Sequence, residues 1–95
     1  MARYNLKIKV GQYTGNGVDK TDISSPGSRP QALFIKGGSN VIVCRTDKMK
    51  GDVTNLVGQA SADAADIVQG FLNSGFQVGT SVRANANGTV YTSLS

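Results

Sequence analysis

Residues 3–10 alternate polar and apolar side chains without exception, and this pattern strongly limits how the start of the chain can fold. The apolar members, which would share one face of an extended chain, are Tyr4, Leu6, Ile8 and Val10. Because successive side chains of a β-strand point to opposite faces, a period of two predicts a strand with one buried and one solvated face. We expect this strand to end at Gly11.

The composition favours β structure along the rest of the chain. Of 95 residues, 39% are hydrophobic and 17% are charged, with 12 glycines and 2 prolines. The polar residues are mainly Ser, Thr, Asn, Gln and Gly, which suit strands and turns better than helices. One domain spanning residues 1–95 is expected. A domain of this size buries only about 60–65% of its unfolded surface, so association with neighbours would stabilise it.

Two apolar runs, "ALFIK" (32–36) and "NVIVCR" (40–45), flank a glycine turn. Gly37 and Gly38 are turn residues and suit a short hairpin between the two runs. Both runs are continuous rather than alternating, which indicates strands covered on both faces. We expect this hairpin to form the core, with Cys44 as a small buried side chain.

A second hairpin is predicted at the close of the sequence. The alternating runs Val82–Ala86 and Thr89–Leu94 flank Asn87-Gly88. Asn-Gly favours a two-residue turn of the primed type, which needs positive φ at both positions. Asn87 and Gly88 are therefore predicted turn residues.

Residues 61–72 can be interpreted in two ways. A helical stripe would contain Ala64, Val68, Phe71 and Leu72, whereas Gly70 and the turn-forming "NSG" favour two strands. A weak strand is expected near 53–57. The predicted fold is an all-β antiparallel sandwich or barrel of six to eight short strands, possibly with one short helix near 62–72.

Between the first strand and the central hairpin lie nearly twenty residues rich in turn formers. A loop this long is either a binding surface or a poorly ordered segment. If it binds a partner, Tyr13, Asn16 and Arg29 are the candidate contacts.

The residues needed for catalysis are scarce. The sequence has no histidine and one cysteine, which excludes His-based triads and a structural zinc site. Asn16, Asp19 and Asp22 could offer oxygen ligands to calcium, but their spacing better suits Asx turns. We therefore predict no catalytic residues, no metal site and no cofactor.

The charge is basic but dispersed. Ten Lys and Arg residues against six Asp give a net charge of +4. The local cluster Arg45–Lys50 is interrupted by Asp47, so a solvated face or an acidic protein partner is expected rather than nucleic-acid binding. Arg45, Lys48 and Lys50 are further candidate contacts. No signal peptide or membrane-spanning run is present, so export is not expected.

Three ordered segments resemble structural proteins of tailed bacteriophages. The segment "ALFIKGGSNVIVCRTDKMKGD" (32–52) is similar to their L-V-I-I-K-G run, which leads into an aromatic-Arg-Thr strand and a Met-x-Gly-Asp turn. "YTGNGVD" (13–19) resembles their Y-T-G-N-G-T/S-D opening, and "SGFQVGTSVRANANGTVY" (74–91) resembles their G-F-x-V-G…Y close. Cys44 replaces a common aromatic, and "YTSLS" lacks the usual aromatic finish.

The resemblance implies a compact β domain that builds or decorates a virion, made in the host cytoplasm. The first expectation is a capsid decoration protein that binds the shell in many copies as a homo-oligomer, with a trimer possible. A receptor- or glycan-binding module of a tail fibre is the alternative, and it requires an exposed Tyr13 or Tyr91. A small nucleic-acid-binding domain would use Arg45, Lys48 and Lys50.

Overall fold

Eight short strands form two antiparallel sheets, which confirms the all-β prediction. The computed structural model describes residues 8–58 and 63–95. Its elements are β1 (Val10–Thr14), β2 (Thr21–Ile23), β3 (Ala32–Gly37), β4 (Val43–Thr46), β5 (Asn55–Leu56), β6 (Val68–Leu72), β7 (Gly75–Val78), α1 (Val82–Asn85) and β8 (Val90–Leu94).

The sheets differ in size. Five strands pair in the order β1-β8-β3-β4-β5, and three pair in the order β2-β7-β6. The chain crosses between the sheets after β1, β2, β5 and β7. In the large sheet the last strand, β8, lies between β1 and β3, and Tyr91 of β8 has Tyr13 and Gly37 as its partners on the two sides.

One apolar core holds the two sheets together. Its largest fully buried apolar side chains come from both sheets and from the segment before β6: Tyr91, Phe76, Leu33, Ile35, Ile67, Val43, Val68 and Val78. Tyr13 adds an edge-to-face contact with Phe76, with ring centroids 5.7 Å apart. This contact connects β1 of the large sheet with β7 of the small one.

The central hairpin forms as predicted, but its two faces differ. β3 and β4 pair antiparallel, with Leu33 and Ile35 buried. Exposed and buried residues alternate strictly along β3, and Phe34 is 41% exposed. The prediction that both faces are covered is therefore wrong. The small sheet packs against one side of the large sheet, and no described element lies over the other.

The first strand is displaced from its predicted position. β1 passes through Gly11 and ends at Thr14, and its backbone ladder with β8 begins where Lys9 pairs with Ser95. In this register Tyr13 faces the core and Val10 faces solvent. Ile8 and Val10 are 58% and 65% exposed, so the predicted burial of their face is wrong. Tyr4 and Leu6 lie outside the described residues.

The ambiguous segment forms strands. β6 and β7 form a hairpin around Asn73-Ser74. Their register shifts between Val68 and Gly70, so the strand pairing is irregular at the glycine in the middle of β6. No helix occurs in residues 63–72, and residues 61 and 62 lie outside the described part. The predicted weak strand exists as the two-residue β5, and the long loop contains β2.

The closing hairpin prediction is wrong in its first arm. Residues 82–85 form the helical turn α1, and the Ser81 side chain caps it by accepting a hydrogen bond from the Arg83 N–H at 3.2 Å. The predicted turn exists, closed by the Thr89 N–H on the Ala86 carbonyl at 3.1 Å. Only Gly88 of the turn pair has positive φ, at +83°, so the turn is not of the primed type.

Replacing Gly88 with alanine is expected to lower the free energy of unfolding by about 1–2 kcal/mol, because an L side chain is disfavoured at positive φ. The space around Gly88 is open, so no clash contributes. Gly70→Ala is the matched control, since Gly70 is equally open and lacks positive φ. Urea unfolding of both variants measures the difference, and equal losses would contradict the turn geometry.

Candidate docking surface

Tyr91 lies at the centre of the fold and is fully buried. Its ring stacks on Tyr13, with centroids 5.2 Å apart, and lies across Gly37, where any Cβ would overlap the ring. The Tyr91 hydroxyl donates to the Val82 carbonyl at 2.5 Å and accepts from the Ala86 N–H at 2.8 Å. Tyr91 therefore packs the core and satisfies backbone groups of the α1 segment.

Tyr13 is also turned inward. Its hydroxyl donates to the Ala84 carbonyl at 2.7 Å, and its ring is partly buried between Tyr91 and Phe76. Burial raises the pKa of Tyr13 well above its usual value, and neighbouring Tyr91 raises it further. Neither tyrosine offers a stacking platform to solvent, so the exposed tyrosine that a receptor- or glycan-binding surface would require is absent at both positions.

Arg45 lies inside the fold rather than on its surface, with 6% exposure. Its Nη1 donates to the carbonyls of Gly51 and Val53 at 2.6 and 2.7 Å, and Nη2 donates to the Met49 carbonyl at 3.2 Å. Its guanidinium carbon lies 5.7 Å from the centroid of the Phe71 ring. Arg45 thus holds the 46–53 loop in place, and the structure directs its guanidinium at backbone carbonyls of that loop.

A buried polar junction next to Arg45 links the two sheets. Thr54 is fully buried, and its hydroxyl donates to the Val68 carbonyl at 3.1 Å and accepts from the Val68 N–H at 3.0 Å. Arg45 Nη1 reaches the same carbonyl at 3.3 Å. Burial lowers the pKa of Arg45, and nearby Asp52 partly offsets this effect.

Asn85 anchors the loop between β1 and β2, and sequence reasoning missed it. The side chain is fully buried, accepts from the Asn16 N–H, and donates to the carbonyls of Val18 and Gly79, all at 2.9 Å. The predicted binding loop is therefore fastened to α1. An Asn in a strand-like pattern gave no signal of this role, because the role depends on the helical turn.

The loop oxygens proposed for calcium are used in local hydrogen bonds. Asn16 Oδ1 accepts from the Val18 N–H at 2.9 Å, which is an Asx turn, and Asp19 Oδ1 accepts from Gln69 at 2.9 Å. Asp22 accepts from Gln77 at 3.2 Å. Among residues 8–58 and 63–95, no group of three or more metal-ligating side chains comes together.

The remaining predicted contacts lie at the surface. Lys48 and Lys50 are exposed in the 46–53 loop, and Asn16 is exposed in the β1–β2 loop. Arg29 is exposed, and its Nη1 donates to the Phe71 carbonyl at 2.8 Å. Half-buried Cys44 lies in β4, and burial raises the pKa of its thiol. Within the described residues, no helix is long and apolar enough to cross a membrane.

The solvent-facing side of the large sheet carries a continuous apolar row. Val10, Leu94, Phe34 and Cys44 are cross-strand partners in turn, so their side chains line up across β1, β8, β3 and β4. The first three are 65%, 40% and 41% exposed. Ile42, 41% exposed, borders a shallow depression beside Phe34. We call Val10, Leu94, Phe34, Cys44 and Ile42 the outer row.

A groove continues the outer row at the end of the sheet where β3 begins. It has a volume of about 760 Å³ and is lined by Ile8, Lys9, residues 26–32, Phe34, Leu94 and Ser95. We call it the end groove. The buried prolines Pro26 and Pro30 lie in one wall, and the exposed apolar side chains of Ile8, Phe34 and Leu94 form much of the floor.

Replacing Arg45 with lysine is expected to lower the free energy of unfolding by about 3 kcal/mol, because an ammonium cannot reach the same carbonyls and leaves them buried without a partner. Arg83→Lys is the matched control and should change stability by less than about 0.5 kcal/mol. Urea denaturation measures both variants. Faster amide exchange in the 46–53 loop should accompany the loss, and equal stability of the two variants would refute the role of Arg45.

The raised pKa of Tyr13 predicts alkaline destabilisation. Below about pH 10 both folded and unfolded Tyr13 are protonated, and the stabilisation is fully present. Above this pH only the unfolded state loses the proton, so the free energy of unfolding falls by up to about 1.4 kcal/mol per pH unit. In urea unfolding from pH 8 to about pH 11, Tyr13→Phe should decline less steeply than the natural chain. Parallel curves would be inconsistent with a buried, neutral Tyr13.

No protein-family model, curated protein or solved structure matches this chain.

Proposed function

We propose that this protein is a non-enzymatic structural component of a phage virion, acting as a capsid decoration protein that binds the shell in many copies. The observation that carries the proposal is the outer row. Val10, Leu94 and Phe34 place large apolar side chains side by side on the exposed face of the large sheet. Contiguous exposed apolar side chains of this kind are a common feature of protein interaction surfaces.

The geometry of this face suits docking better than small-molecule chemistry. A sheet face is broad and nearly flat, and its exposed residues come from four neighbouring strands held by backbone pairing. The buried polar side chains of Arg45, Thr54 and Asn85 are directed at backbone groups. Rigid presentation of an apolar patch lowers the entropy lost on association.

Size and charge support a role in a symmetric assembly. A domain of 95 residues has a small core and gains stability when neighbours cover its apolar surface. Many copies on a lattice, including homo-oligomers such as trimers, provide such neighbours. The net charge of +4 favours an acidic partner surface. The virion setting itself rests on the similarity of residues 13–91 to phage structural proteins.

The first test is the copy number of this chain in purified particles of the phage that encodes it, relative to the major coat protein. Quantitative mass spectrometry should give a simple fraction of the coat count. A handful of copies per particle would instead place the chain in the tail, and its absence from particles would overturn the proposal.

A surface variant tests the docking face. Phe34→Asp should lower the incorporated copy number by about ten-fold or more, because a charge in the centre of an apolar interface is buried without a partner. Val18→Asp is the matched control, since Val18 is 58% exposed and lies away from the outer row. Equal incorporation of both variants, with both folded as judged by thermal melting, would exclude the outer row as the docking surface.

A further inference from the structure

We propose that the end groove binds an extended, acidic segment of a partner protein, with large apolar side chains of that segment seated on the groove floor. The inference rests on the docking function proposed above and assigns the chemistry of the partner at this face. Three features of the groove support it: its shape, the charge of its lining, and the fixed position of one cation.

The shape fits an extended chain. The groove crosses the ends of β1, β8 and β3, where Ile8, Leu94 and Phe34 are 58%, 40% and 41% exposed. Neighbouring strands lie about 4.8 Å apart, so the floor is about 10 Å wide and matches about three extended residues. Pro26 and Pro30 fix φ in the wall and limit its rearrangement. A preformed floor and wall favour capture of a short linear segment.

The charged side chains of the lining are all positive, and the main-chain carboxylate of Ser95 is the anionic group beside them. Lys9 and Arg29 are exposed among the lining residues, and no acidic side chain lines the groove within the described part of the chain. The Arg29 guanidinium donates to the Phe71 carbonyl of the small sheet at 2.8 Å, and this hydrogen bond restricts its position. A guanidinium is suited to binding a carboxylate, because its planar donors match the two carboxylate oxygens.

The positive charge of the groove disfavours two other occupants: residues 1–7 of this chain and a second copy of the protein. Residues 1–7 carry Arg3 and Lys7 and no acidic residue, so their charge does not complement the groove. A second copy would approach with the same net charge of +4. An acidic segment of a different protein satisfies both the apolar floor and the two cations.

Two capped pentapeptides serve as probes, Asp-Leu-Asp-Phe-Asp and its basic counterpart Lys-Leu-Lys-Phe-Lys. In amide NMR spectra of the full chain, the acidic peptide should shift the signals of Ile8, Arg29, Ala32, Phe34 and Leu94. Its binding should weaken as salt is raised, because exposed charges are screened. The basic peptide should bind at least about five-fold more weakly. Equal binding of the two peptides, or shifts confined to other residues, would overturn the proposal.

Charge-reversal variants locate the binding site. Arg29→Glu and Lys9→Glu should each reduce the affinity for the acidic peptide by about five-fold or more. Lys50→Glu is the control with the same change of charge at an exposed residue outside the groove, and it should have a smaller effect. Two groove variants are used so that a folding defect from the lost Phe71 contact in one of them does not decide the result. Equal effects of all three variants would contradict a local site.

The test separates this inference from the proposed function. If the acidic peptide fails to bind while Phe34→Asp still lowers the copy number in particles, the docking function stands and the acidic partner is wrong. If the peptide binds but the chain is absent from purified particles, the proposed function fails and the acidic specificity of the groove stands. Sedimentation of the chain as a dimer whose interface protects the groove residues would identify a second copy as the occupant and overturn the inference.

Discussion

The buried ring of Tyr91 is the contact on which both the core and the loops depend. It lies across Gly37 on one side, stacks on Tyr13 on the other, and its hydroxyl holds two backbone groups of the α1 segment. Tyr13 in turn contacts Phe76 of the small sheet. One side chain thus connects strand pairing, sheet packing and the position of a turn. In a domain with so few buried residues, such sharing compensates for a small core.

Buried polar side chains extend this arrangement to the loops. Arg45 fixes the 46–53 loop through backbone carbonyls, and Asn85 fixes the β1–β2 loop in the same way. Both loops looked from the sequence like exposed binding segments. Both loops are instead held by hydrogen bonds from buried side chains. The outer row differs from them, because its large apolar side chains are exposed to solvent. The proposed docking role rests on the exposure of this apolar face.

The sequence predicted elements whose signals are local. Glycine turns marked the β3–β4 and β6–β7 hairpins, because turn residues act within a few positions. The sequence did not predict which face of β1 is buried. Val10 is exposed because β1 pairs with β8 in the register that places Val10 opposite Leu94, and Leu94 is far away in the sequence. The helical turn α1 was missed because four residues carry no period. The outer row was not predicted either, because cross-strand pairing brings its residues together from distant parts of the sequence. The basic residues near it are too dispersed in the sequence to indicate a site.

The position of β8 determines when the molecule can fold during its synthesis. β1 and β3 do not pair with each other: β1 pairs with β8 along its whole length, and β3 pairs with β8 from Phe34 to Gly37. Residues 10–14 therefore have no strand partner until residues 90–94 have left the ribosome, whereas β3 can pair with β4 earlier. Pairing between such distant segments closes long loops and is slow. During that interval β1 and one edge of β3 lack β8 as a partner, and unpaired strand edges of this kind are prone to aggregation.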